Sequence, residues 1–78
     1  MRKIQILGVG CPKCRRLKAN VEEAVRSLGL DSEIEKIEDV TRIASFGVLL
    51  TPALVIDGQV RSSGKVLSVE ELKKLLEE

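Results

Sequence analysis

The 78-residue sequence contains no histidine, tryptophan or tyrosine, and its only aromatic residue is Phe46. Without histidine, a tetrahedral zinc site would need carboxylates or a second protomer. With one aromatic side chain, the core must consist of aliphatic residues, which the apolar fraction of 44% can supply for one small domain spanning residues 1–78.

Long apolar runs are also lacking. None approaches the roughly 20 residues that span a membrane. The apolar stretch behind Met1 is interrupted by Gln5 and stops at Gly10, which does not fit a secretory signal. We therefore expect a cytoplasmic protein without a membrane partner.

No charge of one sign dominates, because 13 basic and 12 acidic residues give a net charge of +1. This balance gives no electrostatic reason to expect a nucleic-acid partner. One local basic cluster stands out, and we interpret it as a solvated helix face, with a partner-docking role as the alternative. It consists of Lys13, Arg15, Arg16 and Lys18.

The chain has only two cysteines, and they form the motif Cys11-Pro12-Lys13-Cys14 directly after the apolar residues 4–9. This spacing suits either a reversible disulfide or half of a metal site. Structural disulfides are uncommon in the cytoplasm, and so short a loop would constrain the unfolded chain very little. The pair therefore predicts redox or metal chemistry.

The first half of the chain predicts two strands and two helices. Residues 3–8 form a strand, and apolar residues at spacings of three and four from Pro12 predict a helix that Gly29 stops. The charged residues 31–37 suit an edge strand. Asp39 can cap a short helix carrying Val40, Ile43 and Ala44, which Gly47 ends.

The second half predicts a hairpin and a helix. Residues 52–62 form the hairpin, because Asp57-Gly58 suits a type I′ turn. Ser68 and Glu71 form a capping box at the start of the last helix, with Leu67 and Leu72 spaced as its hydrophobic staple. The order β-α-β-α-β-β-α predicts an α/β fold whose first two strands are parallel, in a four-stranded mixed sheet with helices on both faces.

With Cys-x-x-Cys at the end of the first strand, this order resembles the thioredoxin-like fold in its short, glutaredoxin-like form. Thr51-Pro52 precedes the third strand, where that superfamily carries a cis-proline facing the dithiol. The chain is similar to small archaeal and bacterial redox-active disulfide proteins. It departs from a typical thioredoxin in having Gly10 before the first cysteine and Pro12-Lys13 between the two.

The position of each cysteine predicts its role. Cys11 at the helix N-terminus, with Lys13 nearby, should be an exposed nucleophile with a lowered pKa. Cys14 lies one turn further on the apolar face, which suits a buried resolving thiol.

The resemblance adds substrate-binding residues and partners. It implies that Pro52 is cis and leaves the Thr51 backbone free to pair with an extended substrate segment. Gly64 either lets that segment pass close to the backbone or is a plain loop glycine, and Pro12 and Lys13 lie beside the substrate. The protein would act as a monomer without a bound cofactor, reducing protein disulfides with electrons from a thioredoxin-reductase-like donor.

Three other interpretations compete with the redox one. The cysteine pair could bind Cu(I) or zinc, although copper chaperones with this motif resemble a β-α-β-β-α-β order that ends in a strand. Gly8-x-Gly10 resembles the start of a dinucleotide motif, but Lys13 stands at its third glycine position. A non-catalytic adaptor would have no use for the intact cysteine pair.

Overall fold

The computed structural model describes all 78 residues, Met1–Glu78, and its elements follow the predicted order. The strands are β1 (Arg2–Leu7), β2 (Ser32–Ile37), β3 (Ala53–Ile56) and β4 (Gln59–Ser63). The helices are α1 (Pro12–Leu28), α2 (Val40–Ser45) and α3 (Val69–Leu76). None of the helices is long and apolar enough to cross a membrane.

The four strands form one mixed sheet in the order β2-β1-β3-β4. β1 is parallel to β2 and antiparallel to β3, and β4 pairs with β3 in an antiparallel hairpin. The charged strand β2 lies at an edge, as its sequence predicts. Its Glu35 accepts a 3.0 Å hydrogen bond from Gln5, the one buried polar side chain of the central strand β1.

Successive side chains of a strand point to opposite faces of the sheet, so the consecutive apolar residues of β1 and β3 make both faces apolar. Helices cover both of these faces. α1 and α3 pack on one face around the first core, which comprises Ile4, Ile6, Leu17, Val21, Ala24, Leu54, Ile56, Leu67, Leu72 and Leu76. α2 packs on the other face around the second core, which comprises Leu7, Ile37, Ile43, Ala53 and Val55.

The helix ends and the hairpin turn follow their local signals. Gly29 ends α1 with φ 64°, in the left-handed region that favours glycine. Ser68 and Glu71 form the predicted reciprocal capping box of α3. At the hairpin turn, Asp57 (φ 49°) and Gly58 (φ 84°) both have the positive φ that a type I′ turn requires.

The apolar side chains of α2 differ in burial. Of Val40, Ile43 and Ala44, only Ile43 is buried, whereas Val40 is 70% exposed and Ala44 is exposed. The reason is length, because a helix of six residues makes fewer than two turns and turns only one side chain fully toward the sheet.

Candidate redox site

The two cysteines lie at the N-terminal end of α1, the helix that follows β1. Cys11 is the N-cap residue of α1, with extended backbone (φ −88°, ψ 157°), and Pro12 follows at the first helical position. The Cys14 backbone N–H donates a 3.2 Å hydrogen bond to Cys11 Sγ. A sulfur therefore occupies the place of the usual N-cap oxygen, close to amide donors that the helix leaves unpaired.

The two thiols differ in exposure and in acidity. Cys11 is half-buried, and hydrogen bonding from the Cys14 side chain, then from the Cys14 N–H, lowers its pKa. Cys14 is buried, and the burial together with the Cys11 side chain raises its pKa, against smaller opposing effects of the Cys11 backbone and of the Lys36 charge. The arrangement therefore favours a thiolate at Cys11 and a protonated thiol at Cys14.

The causes of the lowered Cys11 pKa agree in part with those expected. Backbone N–H groups at the start of α1 contribute, as the position of Cys11 predicts. We expected the charge of Lys13 to contribute, but the contribution of this residue comes from its backbone N–H. The largest effect comes from the Cys14 side chain. The Lys13 side chain is exposed beside Cys11, as is Pro12.

The Thr51–Pro52 peptide bond is cis, and the two residues differ in their surroundings. Pro52 is buried, whereas Thr51 is exposed. Neither the N–H nor the C=O of Thr51 makes a hydrogen bond within the chain, while the Pro52 C=O accepts a 2.8 Å bond from the Gly64 N–H. Thr51 therefore presents one free backbone donor and one free backbone acceptor next to Pro52.

Gly64 anchors the Pro52 loop, and its backbone does not line an open channel. Its φ is 76°, and a Cβ placed on it would lie 3.1 Å from Leu50 Cβ. The side chain of Leu50 thus covers Gly64, and this close approach within the chain accounts for the glycine.

Gly8 belongs to the site, although its sequence context matched only the start of a dinucleotide motif. A Cβ on Gly8 would overlap Cys14 Sγ and would lie 3.8 Å from Pro52 Cα. Gly8 therefore leaves the space that the buried sulfur occupies and brings Cys14 and Pro52 against the same backbone. The only sequence signal was a glycine directly after a strand and three positions before a cysteine.

No group of three or more cysteine, aspartate or glutamate side chains is placed to hold a metal ion. Any metal bound at the motif would therefore find two sulfur ligands, Cys11 and Cys14, and would take its others from outside the chain.

Comparison with known proteins agrees with this geometry. The family model described as "Thioredoxin domain" matches residues 2–77. A protein named thioredoxin from Methanothermobacter thermautotrophicus is 46% identical over 76 residues, which cover 97% of this chain and 99% of that protein. A protein named thioredoxin from Methanocaldococcus jannaschii is 47% identical over 73 residues, covering 94% and 84% respectively.

The chain belongs to the thioredoxin domain family. Its fold is the thioredoxin-like α/β fold that the sequence predicts, and its function is that of a thiol–disulfide oxidoreductase with disulfide reductase activity.

Proposed function

We propose that Cys11 is the nucleophile and Cys14 the resolving thiol in the reduction of protein disulfides. The Cys11 thiolate attacks one sulfur of the substrate disulfide, the substrate S–S bond breaks, and the departing thiolate takes up a proton. Cys14 then loses its proton and attacks Cys11 Sγ, which breaks the mixed disulfide and releases the second substrate thiol. Two electrons pass to the substrate, and the Cys11–Cys14 disulfide remains.

One observation carries this assignment, namely the asymmetry of the pair. Cys11 is the more exposed sulfur and has the lowered pKa, so the attacking thiolate forms where a substrate can reach it. Cys14 is buried with a raised pKa, so it stays protonated until the mixed disulfide has formed. The side-chain hydrogen bonding between the two thiols supports attack of one neighbouring sulfur on the other.

The substrate segment would bind beside Thr51. The free N–H and C=O of this residue support pairing with an extended chain, as in other cases where a peptide adds to exposed backbone groups. Pro12 and Lys13 would lie against the same segment across Cys11, and Gly64 would act by anchoring the loop. The protein would work as a cytoplasmic monomer, without a bound cofactor, and a thioredoxin-reductase-like protein would return the two electrons.

Two cysteine variants test the roles. Cys11→Ser should abolish reduction of a disulfide-bonded protein, because serine cannot attack the disulfide. Cys14→Ser should accumulate a mixed disulfide between Cys11 and the substrate, detected by intact mass before and after added reductant. The double variant, with both Cys11→Ser and Cys14→Ser, provides the background rate. If Cys14→Ser instead turns over at the normal rate, one thiol suffices and the resolving role is wrong.

A redox titration tests the couple itself. The metal-free protein is equilibrated in thiol–disulfide buffers, alkylated and weighed, and we expect one two-electron transition that joins the cysteines within one chain. A pair that resists oxidation but binds Cu(I) or zinc tightly would replace this proposal with the metal-binding function.

A further inference from the structure

The opening turns of α1 carry an excess of positive charge close to Cys11. This surface is called the basic rim, and it consists of Lys13, Arg15, Arg16 and Lys18. Its first three members are exposed and the fourth is half-buried, whereas Cys14 and Leu17, which lie between them in the sequence, are buried. The rim is therefore the solvent-facing side of a helix whose other side packs on the first core.

The positive charge of the basic rim is not neutralised within the chain. The first acidic residue of the sequence is Glu22, beyond the rim. No ion pair involves a rim side chain, and the basic residues that do form ion pairs are Arg2, Lys36, Arg42, Arg61 and Lys73. The net charge of the whole chain is only +1, so the excess at the rim is a local property.

Two members of the rim lie in line with Cys11 along the helix. The Arg15 N–H donates a 3.2 Å hydrogen bond to the Cys11 C=O, and the Arg15 side chain donates one of 3.2 Å to the Gly10 C=O. Lys18 follows Arg15 after three residues, so both lie on the side of the helix that Cys11 begins. With a rise of about 1.5 Å per residue, they lie about 6 Å and about 10 Å from Cys11 along the axis.

The position of the rim indicates what it binds. Cys14 is buried, so a substrate disulfide has to reach the Cys11 sulfur, which brings the surface around that disulfide within about 10 Å of the rim. That distance is about one Debye length at 0.1 M salt, so the rim attracts carboxylates on the approaching surface and repels ammonium groups. A nucleic acid would be attracted as well, but it has no disulfide to deliver to Cys11.

We propose that the basic rim docks acidic surface around the disulfide of a substrate protein. The protein therefore reduces disulfides with aspartate and glutamate nearby in preference to disulfides with lysine and arginine nearby. This inference rests on the proposed role of Cys11 as the nucleophile. The preference concerns the charge around the disulfide and no single sequence position, because the rim extends over more than one turn of the helix.

Single-turnover reduction of matched peptide disulfides tests the proposal. Each peptide has one cysteine with two glutamates, two glutamines or two lysines on either side, and it is used as its disulfide-linked dimer. The pre-reduced protein supplies both electrons, so no electron donor takes part. Each second-order rate constant is divided by that of dithiothreitol with the same peptide, which removes the effect of the peptide charge on the disulfide itself.

The expected differences follow from the strength of charge pairs in water. At about 0.1 M salt, the relative rate of the glutamate peptide should be about fivefold above that of the glutamine peptide, and that of the lysine peptide about fivefold below it. Both differences should be largely lost at about 0.5 M salt, because the rim is on the surface and is screened. The glutamine peptide measures the reductase function without a charge effect.

Charge-removing variants locate the effect. Lys18→Gln and Arg16→Gln should each lower the ratio of the glutamate rate to the lysine rate about fourfold, because each variant removes about a twofold effect on either peptide. Arg26→Gln is the matched control. Arg26 is exposed on the same helix, forms no ion pair and gives the same change in net charge, but it lies about 22 Å from Cys11 along the axis. Its variant should keep the ratio.

The outcomes separate the docking from the proposed function. Equal relative rates for the three peptides would overturn the docking and leave the reductase function intact. A ratio that Arg26→Gln lowers as much as Lys18→Gln does would trace the preference to the net charge and would also overturn the rim as its source. Failure of the reduced protein to react with the glutamine peptide would contradict the proposed function itself.

Discussion

Replacing Gly8 by alanine should destabilise the reduced protein by about 2 kcal/mol, the middle of the range for a methyl group forced into a packed site. The new Cβ would overlap Cys14 Sγ, whereas its next contacts, 3.4 Å to Cys14 Cβ and 3.8 Å to Pro52 Cα, are tolerable. The sulfur of Cys14 is thus the only obstacle. Gly8 is not among the glycines with positive φ, so alanine brings no backbone strain.

The loss of stability can be measured as a decrease in the melting temperature or in the urea midpoint under reducing conditions. In a domain of this size each kcal/mol moves the melting temperature by about 4–8 °C, so we expect a decrease of roughly 10 °C. Displacing the Cys14 sulfur should also weaken its hydrogen bonding to Cys11 and raise the Cys11 pKa, because that bonding is the largest cause of the lowered value.

A double-mutant cycle with Cys14→Ala isolates the contact. Without the sulfur, Gly8→Ala should cost little, and it could stabilise by up to about 1 kcal/mol because alanine restricts the unfolded chain. The coupling energy should therefore be about 2 kcal/mol. Gly47→Ala is the control, since a Cβ there meets no atom within 4 Å but φ is +79°, so its cost should not depend on Cys14. Additive effects of Gly8→Ala and Cys14→Ala would refute the reasoning.

Three further predictions concern other contacts. Cys14→Ala should raise the Cys11 pKa, followed by thiolate absorbance against pH; an unchanged value would show that the helix end alone sets it. The Lys3 N–H and the Arg2 side chain lower the pKa of Asp57 in the folded state, so its contribution to stability is complete above its unfolded pKa near 4 and is lost as pH falls through the folded value. In Asp57→Asn, the unfolding free energy should therefore decrease less steeply as the pH falls through that range. An unchanged slope would contradict a stabilising role for the Asp57 carboxylate. Ser68→Ala should cost about 1 kcal/mol in urea unfolding, because the Glu71 N–H loses its acceptor; a neutral effect would mean that the cap adds nothing.

Much of the fold could be predicted because its determinants are local. A turn that needs positive φ at two successive positions restricts the sequence to a few pairs, and Asp57-Gly58 is one of them. The capping box of Ser68 and Glu71 likewise depends on residues three apart. Such signals fix the ends of elements whatever the rest of the chain does.

The remaining features depend on contacts between distant residues. The cis bond at Pro52 was expected only from family resemblance, because local preference favours trans. Gly8 gained its role only from the fold, which brings Cys14 and Pro52 against it from two other parts of the chain. No pattern within a few residues of Gly8 encodes that approach.

The reactivity of the motif illustrates how the two levels combine. Any helix that begins at a Cys-x-x-Cys motif places the second N–H near the first sulfur, so the local geometry alone favours the Cys11 thiolate. That geometry does not keep Cys14 protonated. Its raised pKa comes first from burial, which the glycine backbone at Gly8 permits by leaving room for the sulfur. The difference between attacking and resolving thiol is therefore a property of the fold, and substitutions in the intervening Pro12-Lys13 pair should change its size without reversing its order.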